Sequence, residues 1–311
     1  METPRTLLEA VTAFADPEKA QHYFANLRWP NGVACPRMGC GNADLRYIGG
    51  KRPRWFCKEC KREFTAKLGT IFEDSPIGFD KWLPAIWMLS PNRNGISSCE
   101  LARALGVTQK TAWFMLHRIR LGFQSKTFES LTGTVEADET LVGGKVNISK
   151  AARRHMRAGG KWDRNFGKTR VLGLVQRGGE ARAWSVPNLR AETMLPKLLD
   201  SIRPDATLMT DGSWSFWSIG KRFRAHEWIN HAITYVRGNV HTNNIECFWS
   251  VLKRTIGGTY IHVNPRHLDR YLAEQVFRFN ERENTDGSRF TTAVKGTEQK
   301  RLTYRELIAK G

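Results

Sequence analysis

The chain has 311 residues, 41% of them hydrophobic, and a formal net charge of +19 from 49 Lys and Arg against 30 Asp and Glu. This apolar content excludes a wholly disordered chain, and the charge favours a polyanionic partner such as nucleic acid, although charge alone also fits a basic protein without chemistry. The N-terminus lacks a signal-peptide core and no apolar run reaches the roughly 20 residues of a membrane helix, so we expect a soluble, cytoplasmic protein without a membrane partner.

Five segments follow one another in the predicted organisation. Residues 1–30 have apolar side chains at helical spacing, and residues 31–72 are rich in Cys, Gly and Arg with short strand-like pieces. Residues 79–125 are predicted to be helical. Between residues 130 and 285 short strands and helices alternate, which is typical of an α/β domain. Residues 286–311 are assigned to a C-terminal tail.

The α/β segment divides further at its turn signals. Helices are expected at 191–202, 242–256 and 267–281. Strands are expected at 133–142, 170–176, 181–186, 207–210 and 224–230, and the second and third of these are predicted to pair as a hairpin because only a short Gly-rich turn separates them.

Four cysteines form two closely spaced pairs, Cys35 with Cys40 and Cys57 with Cys60. Six cysteines in a reducing compartment favour metal ligation over disulfides, and two such pairs are what a tetrahedral zinc site requires. The pattern therefore predicts one structural Zn²⁺ in a zinc ribbon, with two unrelated pairs as the alternative. Cys99 and Cys247 fall outside the pattern and are interpreted as buried apolar side chains.

The ribbon segment is also strongly basic. Arg52 and Arg54 are candidate DNA contacts, since a zinc-stapled basic hairpin can lie against a phosphate backbone, but an ordinary solvated face has the same composition.

Residues 96–120 have helix-turn-helix character. Gly106 supplies the turn, Thr108 can cap the second helix, and residues 79–86 fit a supporting helix. Ala112, Met115 and Ile119 follow helical spacing and predict the buried face. The candidate contacts to DNA are the residues left outside that face: Gln109, Lys110, Trp113, His117 and Arg118. A plain helical hairpin linking two domains is the alternative.

A basic stretch at residues 145–170 contains nine Lys or Arg and one acid. We interpret it as a loop that becomes ordered on a phosphate backbone, with Arg153, Arg154 and Arg157 as candidate contacts. A solvated insertion fits the same residues equally well.

Three acids in this basic chain are candidates for metal-assisted phosphodiester chemistry, in which two metal ions hold the attacking and leaving oxygens. Asp138 lies on a predicted strand, Asp211 ends an apolar run before Gly212, and Glu246 lies near the start of a helix. Each also has a structural interpretation: the polar face of an edge strand, an Asp-Gly turn, and a capping-box acid with Asn243 as N-cap.

The helix that begins near residue 243 has two useful faces. Glu246, Trp249 and Lys253 share one of them by their spacing, beside an apolar stripe that can pack on a sheet. Lys253 is therefore a candidate point charge for a phosphate. His241, Asn244 and Glu136 are possible partners around the metal ligands.

The motifs taken together resemble the DDE transposases of bacterial insertion sequences, in the ISXO-like branch with an N-terminal zinc ribbon. The matching motifs cover nearly the whole chain. They are the four cysteines, Leu68-Gly-Thr-Ile-Phe72, Val135-Glu-Ala-Asp138-Glu-Thr-Leu-Val-Gly-Gly144, Thr210-Asp211-Gly212, His241-Thr-Asn-Asn-Ile-Glu246-Cys-Phe-Trp249-Ser-Val-Leu-Lys253 and Tyr271 to Arg282. One departure is the first cysteine pair, which has four residues between Cys35 and Cys40.

The resemblance implies a ribonuclease-H-like catalytic core preceded by a small zinc ribbon and a helix-turn-helix-like segment. It places the acids on strand one, after strand four and on a late helix. It implies that Asp138, Asp211 and Glu246 bind two Mg²⁺ or Mn²⁺ ions, with Lys253 as the basic residue that follows the last acid. The implied partner is double-stranded DNA, both element ends and target. A homodimer or larger synaptic assembly is expected in a bacterial, nucleoid-associated setting.

Three functions remain open on the sequence. The first is a transposase that cuts element ends and joins them to target DNA. The others are a domesticated DNA-binding regulator without cleavage activity and a structure-specific nuclease that cannot join strands.

Overall fold

A computed structural model describes residues 2–50, 53–124, 129–143, 167–230 and 236–309, together with 154, 157–159, 233 and 234. The chain divides into two compact units. The first consists of Met1–Ser125 and Glu281–Gly311, and the second of Lys126–Asn280. The mixed α/β class with a small cysteine-bearing region is therefore confirmed, and the three N-terminal segments that the sequence separates belong to one unit.

Two N-terminal helices open the first unit, α1 (Leu7–Phe14) and α2 (Pro17–Arg28). They are separate because the Asp16 carboxylate accepts hydrogen bonds from the backbone of Glu18 and Lys19, which starts a new helix with Pro17 in its first turn. A small antiparallel sheet follows, formed by β1 (Leu45–Ile48), β2 (Arg54–Cys57) and β3 (Glu63–Phe64).

The helical segment has the expected arrangement. It contains α3 (Phe79–Leu89), α4 (Ser98–Leu105) and α5 (Gln109–Gly122). Gly106 adopts the left-handed conformation that ends α4, with φ of 61°, and the Thr108 side chain caps α5 by accepting from the Thr111 backbone. The predicted apolar face of α5 is buried.

The C-terminal residues are not a tail. They form α10 (Asp286–Lys295) and α11 (Tyr304–Ile308), numbered after the helices of the second unit. Phe290 is fully buried, with its ring centroid 5.7 Å from Phe14 and 5.3 Å from Trp87. This packing was not predicted from the sequence, because the segment is polar apart from a few inward-facing apolar side chains.

The second unit is built on a five-stranded sheet in the order β6-β5-β4-β7-β8. Strands β4 (Thr134–Val142), β5 (Thr169–Gln176) and β6 (Ala181–Val186) are antiparallel, whereas β7 (Thr207–Thr210) and β8 (Ala225–Trp228) run parallel to β4. The predicted strands and the predicted hairpin are thus confirmed.

Helices cover both faces of this sheet. One apolar cluster packs α6 (Ala191–Ser201) and α7 (Trp214–Gly220) against one face, and a second packs α8 (Asn243–Thr255) and α9 (Leu268–Asn280) against the other. A π-helical turn at Ile256–Tyr260 follows α8, and a 3₁₀ turn at Pro265–His267 precedes α9. The short helix α7 is not predicted by the sequence.

Candidate active site and metal centres

Three carboxylates meet at the edge of the central strand. Strands β4 and β7 pair only as far as Glu136 with Met209, so the edge of β4 is no longer covered by β7 where Asp138 follows. Asp211 comes directly after the end of β7. Carboxylate oxygens of Asp138, Glu139 and Asp211 lie within 4.8 Å of one another. An all-oxygen donor set of this kind fits Mg²⁺ or Mn²⁺.

The electrostatics of this cluster favour binding of a cation. Burial, followed by repulsion from Asp211, raises the pKa of Asp138 to about 6. Burial and Asp211 likewise raise the pKa of Glu139 to about 7. A fraction of the Asp138 and Glu139 carboxyl groups therefore holds a proton near neutral pH, because their charged forms are desolvated and repelled by neighbouring carboxylates. A bound divalent cation would relieve both effects.

Glu139 was missed by the sequence reasoning, which placed its side chain on the opposite strand face from Asp138. Its Oε1 accepts a hydrogen bond of 2.9 Å from the Ser213 hydroxyl, and its backbone N–H donates to Asp138 Oδ1 over 2.8 Å. Its Oε2 is buried and has no hydrogen-bond partner among the described residues. Because the edge of β4 is open here, side chains from both strand faces can turn toward Asp211. Three consecutive polar residues within a strand, Asp138 to Thr140, were the available signal.

Glu246 lies on α8 but outside the three-acid cluster of the described residues. Its side chain is exposed, and its Oε1 accepts a hydrogen bond of 3.0 Å from the Thr242 hydroxyl. Its charge nevertheless contributes to the raised pKa of Asp138, after burial and Asp211. Lys253 is exposed further along the same helix.

Buried Glu136 caps the helix that carries Glu246. Its carboxylate accepts hydrogen bonds of 2.9 and 3.1 Å from the backbone N–H groups of Asn244 and Ile245, and of 2.8 Å from the Asn244 side chain. His241 Nδ1 lies 3.4 Å from the same carboxylate. The alternative interpretation of Glu246 as a capping-box acid with Asn243 as N-cap is wrong. Thr242 is the N-cap residue and makes no side-chain cap bond, so an acid on β4 provides the anion that the helix N-terminus favours.

Arg177 completes this arrangement, although the sequence did not single it out. Its Nε donates to Glu136 Oε1 over 2.8 Å. Its two terminal nitrogens each donate over 2.8 Å to a backbone carbonyl, those of Asn239 and His241. One ion pair therefore fixes the chain that leads into α8.

The four paired cysteines converge on a second centre. The Sγ atoms of Cys35 and Cys60 are 3.8 Å apart, those of Cys40 and Cys57 are 3.6 Å apart, and all four lie within 4.8 Å of one another. Four thiolates at about 2.3 Å from one ion in a tetrahedron are separated by about 3.8 Å, so this donor set fits Zn²⁺. The longer first pair does not prevent the convergence. Cys99 and Cys247 are exposed, so their assignment as buried side chains is wrong.

The candidate DNA contacts on α5 differ in their surroundings. Gln109 and Lys110 are exposed, although Gln109 donates to the Ser98 hydroxyl over 2.7 Å, and Trp113 is half-buried. The expected outward position of His117 and Arg118 is wrong, because both are buried.

Arg118 has a structural role instead. It donates to the backbone carbonyls of Leu302 and Glu73 over 2.9 and 3.0 Å, which explains why a cation is buried there. The chain near α11 covers the end of the face that the sequence left open.

The basic residues elsewhere are only partly described. Arg54 pairs with Glu63 over 2.6 Å on β2 and β3, and Arg154 and Arg157 are exposed. Arg52 and Arg153 lie outside the described residues, as does most of the basic stretch at 145–170.

Comparison with known proteins agrees with this architecture. Residues 130–280 match a family model described as the ISXO2-like transposase domain, and residues 15–63 match the transposase zinc-ribbon domain. An uncharacterized protein in transposable element ISH50 of Halobacterium salinarum is 27% identical over 281 residues, which cover 86% of this chain and 94% of that protein. An uncharacterized transposase-like protein of Haemophilus influenzae is 30% identical over 98 residues, 32% of this chain and 79% of that protein. Among the described helices, none combines the length and the apolar content that crossing a bilayer requires.

Proposed function

The chain belongs to the ISXO2-like family of DDE transposases, and on that premise we propose that it binds the terminal inverted repeats of its element, cleaves a phosphodiester bond at each end and joins the freed 3′-hydroxyl to target DNA. The observation that carries this proposal is the convergence of Asp138, Glu139 and Asp211 at one strand edge. The raised pKa values of Asp138 and Glu139 are typical of acids grouped to bind cations rather than to stabilise a fold.

Asp138, Asp211 and Glu246 would hold two Mg²⁺ or Mn²⁺ ions, which when bound activate the nucleophile and offset charge on the phosphate. Glu139 adds a fourth carboxylate to the set. Glu136 and Arg177 position the start of α8, and thereby Glu246, from behind the site. Lys253 lies two helical turns after Glu246 and would contact a DNA phosphate. The reaction requires no covalent enzyme intermediate, because water and then the 3′-hydroxyl are the nucleophiles.

The first unit would bind the element ends. Its zinc ribbon is stabilised by one Zn²⁺ at the four cysteines, and Arg54 lies on the ribbon surface. The exposed Gln109 and Lys110 at the start of α5 would reach base edges, as the recognition helix does in helix-turn-helix proteins. Two ends must be held together for transposition, so a homodimer or larger assembly would act at the bacterial nucleoid.

The test uses labelled element-end oligonucleotides, a target plasmid and Mg²⁺. The variants Asp138→Asn, Asp211→Asn and Glu246→Gln should each abolish strand cleavage and retain end binding, because they remove metal ligands without removing DNA contacts. Asp200→Asn is the control, since Asp200 is an exposed acid of the same unit.

The products separate the three functions. Joined product supports the transposase, cut product alone a nuclease, and a mobility shift alone a regulator. Metal-dependent cleavage that persisted in all three variants would contradict the proposed site.

A further inference from the structure

Three tryptophans form an exposed surface directly beside Asp211. Side chains of Trp214, Trp217 and Trp228 are 89%, 49% and 38% exposed, among the largest exposed apolar groups of the described chain. Trp214 and Trp217 lie on α7, which begins three residues after Asp211, and Trp228 ends β8. We call these three residues the tryptophan surface. Its exposure is unfavourable in water and marks a site of interaction.

The tryptophan surface is continuous with the active site through Gly212. Trp228 lies against this glycine, since a Cβ built there would be only 3.0 Å from the Trp228 ring, and the φ of 82° also requires glycine. The Trp217 indole donates to the Gly212 carbonyl over 3.3 Å. Both rings are thus fixed relative to the residue that follows Asp211.

The three rings form a row in space, in the order Trp228, Trp217 and Trp214. Centroids of Trp228 and Trp217 are 5.7 Å apart, and those of Trp217 and Trp214 are 6.1 Å apart with an angle of 23° between the planes. Such spacing leaves the outermost ring, Trp214, with an open face. The flat faces of unpaired nucleobases stack well on rings presented in this way.

Exposed cations follow the end of α7 in the chain, beginning with its C-cap residue Lys221. Trp214, Trp217 and Lys221 follow the spacing i, i+3 and i+7, and Arg222 and Arg224 follow next in the chain. All three cations are exposed. Sites for single-stranded nucleic acid usually combine rings that stack on bases with cations that contact phosphates.

We propose that Trp214, Trp217 and Trp228 bind unpaired nucleobases of the DNA strand whose phosphate lies at Asp211. The identity of that strand rests on the proposed function. A duplex keeps its base faces covered, whereas bases at a cut or frayed end can leave the stack. The surface therefore captures the strand end next to the bond that reacts.

A second copy of the chain is the competing occupant, and the available area argues against it. Fully burying three aromatic side chains removes about 150–250 Å² each from water, and these three are only partly exposed. The exposed part is at most about 440 Å², against roughly 800 Å² per partner in a stable protein interface.

The test measures binding of the full-length protein to three DNA probes by fluorescence anisotropy, without added Mg²⁺ so that no strand is cut. The probes share one duplex and differ at the end, which is blunt, carries a short single-stranded 3′ extension, or carries an extension of abasic sites. We expect the wild type to prefer the extension with bases over the other two ends, because only bases can stack.

Trp214→Ala should lower this preference by at least about fivefold and leave binding of the blunt duplex unchanged. Trp214→Phe should keep most of the preference, since it retains a ring. Leu199→Ala is the matched control, because Leu199 is an exposed apolar side chain of the same unit. Trp214 is the preferred target because its side chain is almost wholly exposed, so its removal leaves the fold intact.

Several outcomes would overturn the proposal. It is wrong if the wild type binds all three probes equally, or if Trp214→Ala keeps the full preference. It is also wrong if that substitution changes the molar mass measured by light scattering while leaving the preference intact, which would indicate an interface between copies. Asp138→Asn should lose cleavage and keep the preference, so absence of cleavage in the wild type with the preference intact would contradict the proposed function alone.

Discussion

Trp249 donates a hydrogen bond of 2.9 Å from its indole Nε1 to Oδ2 of Asp138. This bond joins α8, which carries Glu246, to the strand that carries the first acid. Gly173, the residue opposite Asp138 on β5, makes the approach possible, because a Cβ there would lie 2.4 Å from the Trp249 ring. The indole bond also lowers the pKa of Asp138, against the larger effects of burial and Asp211 that raise it.

Trp249→Phe removes the donor and keeps an aromatic ring in the same place. We expect Mg²⁺-dependent cleavage to fall about tenfold, because an ionised Asp138 loses a hydrogen bond to a charged group. The pH–rate profile should shift to higher pH, since the bond that lowers the pKa of Asp138 is gone. Trp184→Phe, a matched substitution on β6, should change neither quantity. Equal cleavage rates and equal pH profiles in the two variants would show that the bond has no catalytic importance.

Glu139→Gln tests the carboxylate that the sequence reasoning missed. If Glu139 binds or orients a cation at Asp138 and Asp211, the Mg²⁺ concentration for half-maximal cleavage should rise about 10- to 100-fold. Glutamine retains the contact with Ser213, so the fold should be unaffected. Glu227→Gln, at an exposed acid of β8, serves as the control. An unchanged Mg²⁺ dependence would remove Glu139 from the metal-binding set.

Asp138→Asn should stabilise the protein in the absence of added Mg²⁺. The folded state holds the proton of Asp138 up to about pH 6, whereas an unperturbed aspartate releases it near 3.8. The folded state thus binds more protons between these values, and stability falls as pH rises through them. Relative to wild type, the variant should gain about 1–3 kcal/mol near pH 8 and nothing near pH 4, measured by urea unfolding of the zinc-loaded protein.

Asp200→Asn controls for the general effect of removing a negative charge, and should show no such pH dependence. Added Mg²⁺ should reverse the order of stabilities, since only the wild type retains the full set of ligands. If the variant were less stable than wild type at high pH without Mg²⁺, burial and repulsion would not be destabilising the ionised Asp138 in the folded state.

Hydrophobic periodicity and turn residues were sufficient to predict most helices and strands, because they reflect local backbone preferences that tertiary packing does not override in this chain. The strands of the second unit, the turn at Gly106 and the cap at Thr108 follow directly from such signals. Asp138 could also be placed on a strand, and Asp211 at the end of another. Their proximity depends on β4 and β7 being neighbours, which is a property of sheet order and not of either strand alone.

The remaining features depend on contacts between residues distant in sequence. Glu136 caps α8 from more than a hundred positions away, so a local capping rule chose Asn243 instead. Arg118 is buried because the carbonyls of Leu302 and Glu73 accept from it, which helical spacing cannot reveal. Glu139 joins Asp138 because the strand edge is open, although strict alternation assigns the two side chains to opposite faces.

Glu136→Gln tests the ion pair with Arg177. The Glu136 side chain is fully buried, and the amide would present a donor toward the backbone N–H groups of Asn244 and Ile245. Removing one partner of a buried pair should lower the free energy of unfolding by about 3–5 kcal/mol. Asp205→Asn breaks the exposed pair with Arg203 and should cost at most about 1 kcal/mol. Equal losses in the two variants would show that the buried pair does not hold α8 in place.

Cys57→Ser tests the zinc centre and separates its role from that of the catalytic acids. Cys57 is fully buried with Sγ 3.6 Å from Cys40, so serine should disrupt the tetrahedral set, and elemental analysis should show less than one zinc per chain. The ribbon should lose its fold, because zinc binding supplies on the order of 10 kcal/mol to so small a sheet. Binding of element ends should weaken by at least about tenfold, since ordered phosphate contacts are lost.

Cys99→Ser, at an exposed cysteine outside the cluster, should keep both zinc and binding. If Cys57→Ser retained a full complement of zinc, the four cysteines would not be its ligands; if it lost zinc and bound the ends normally, the ribbon would not contact them.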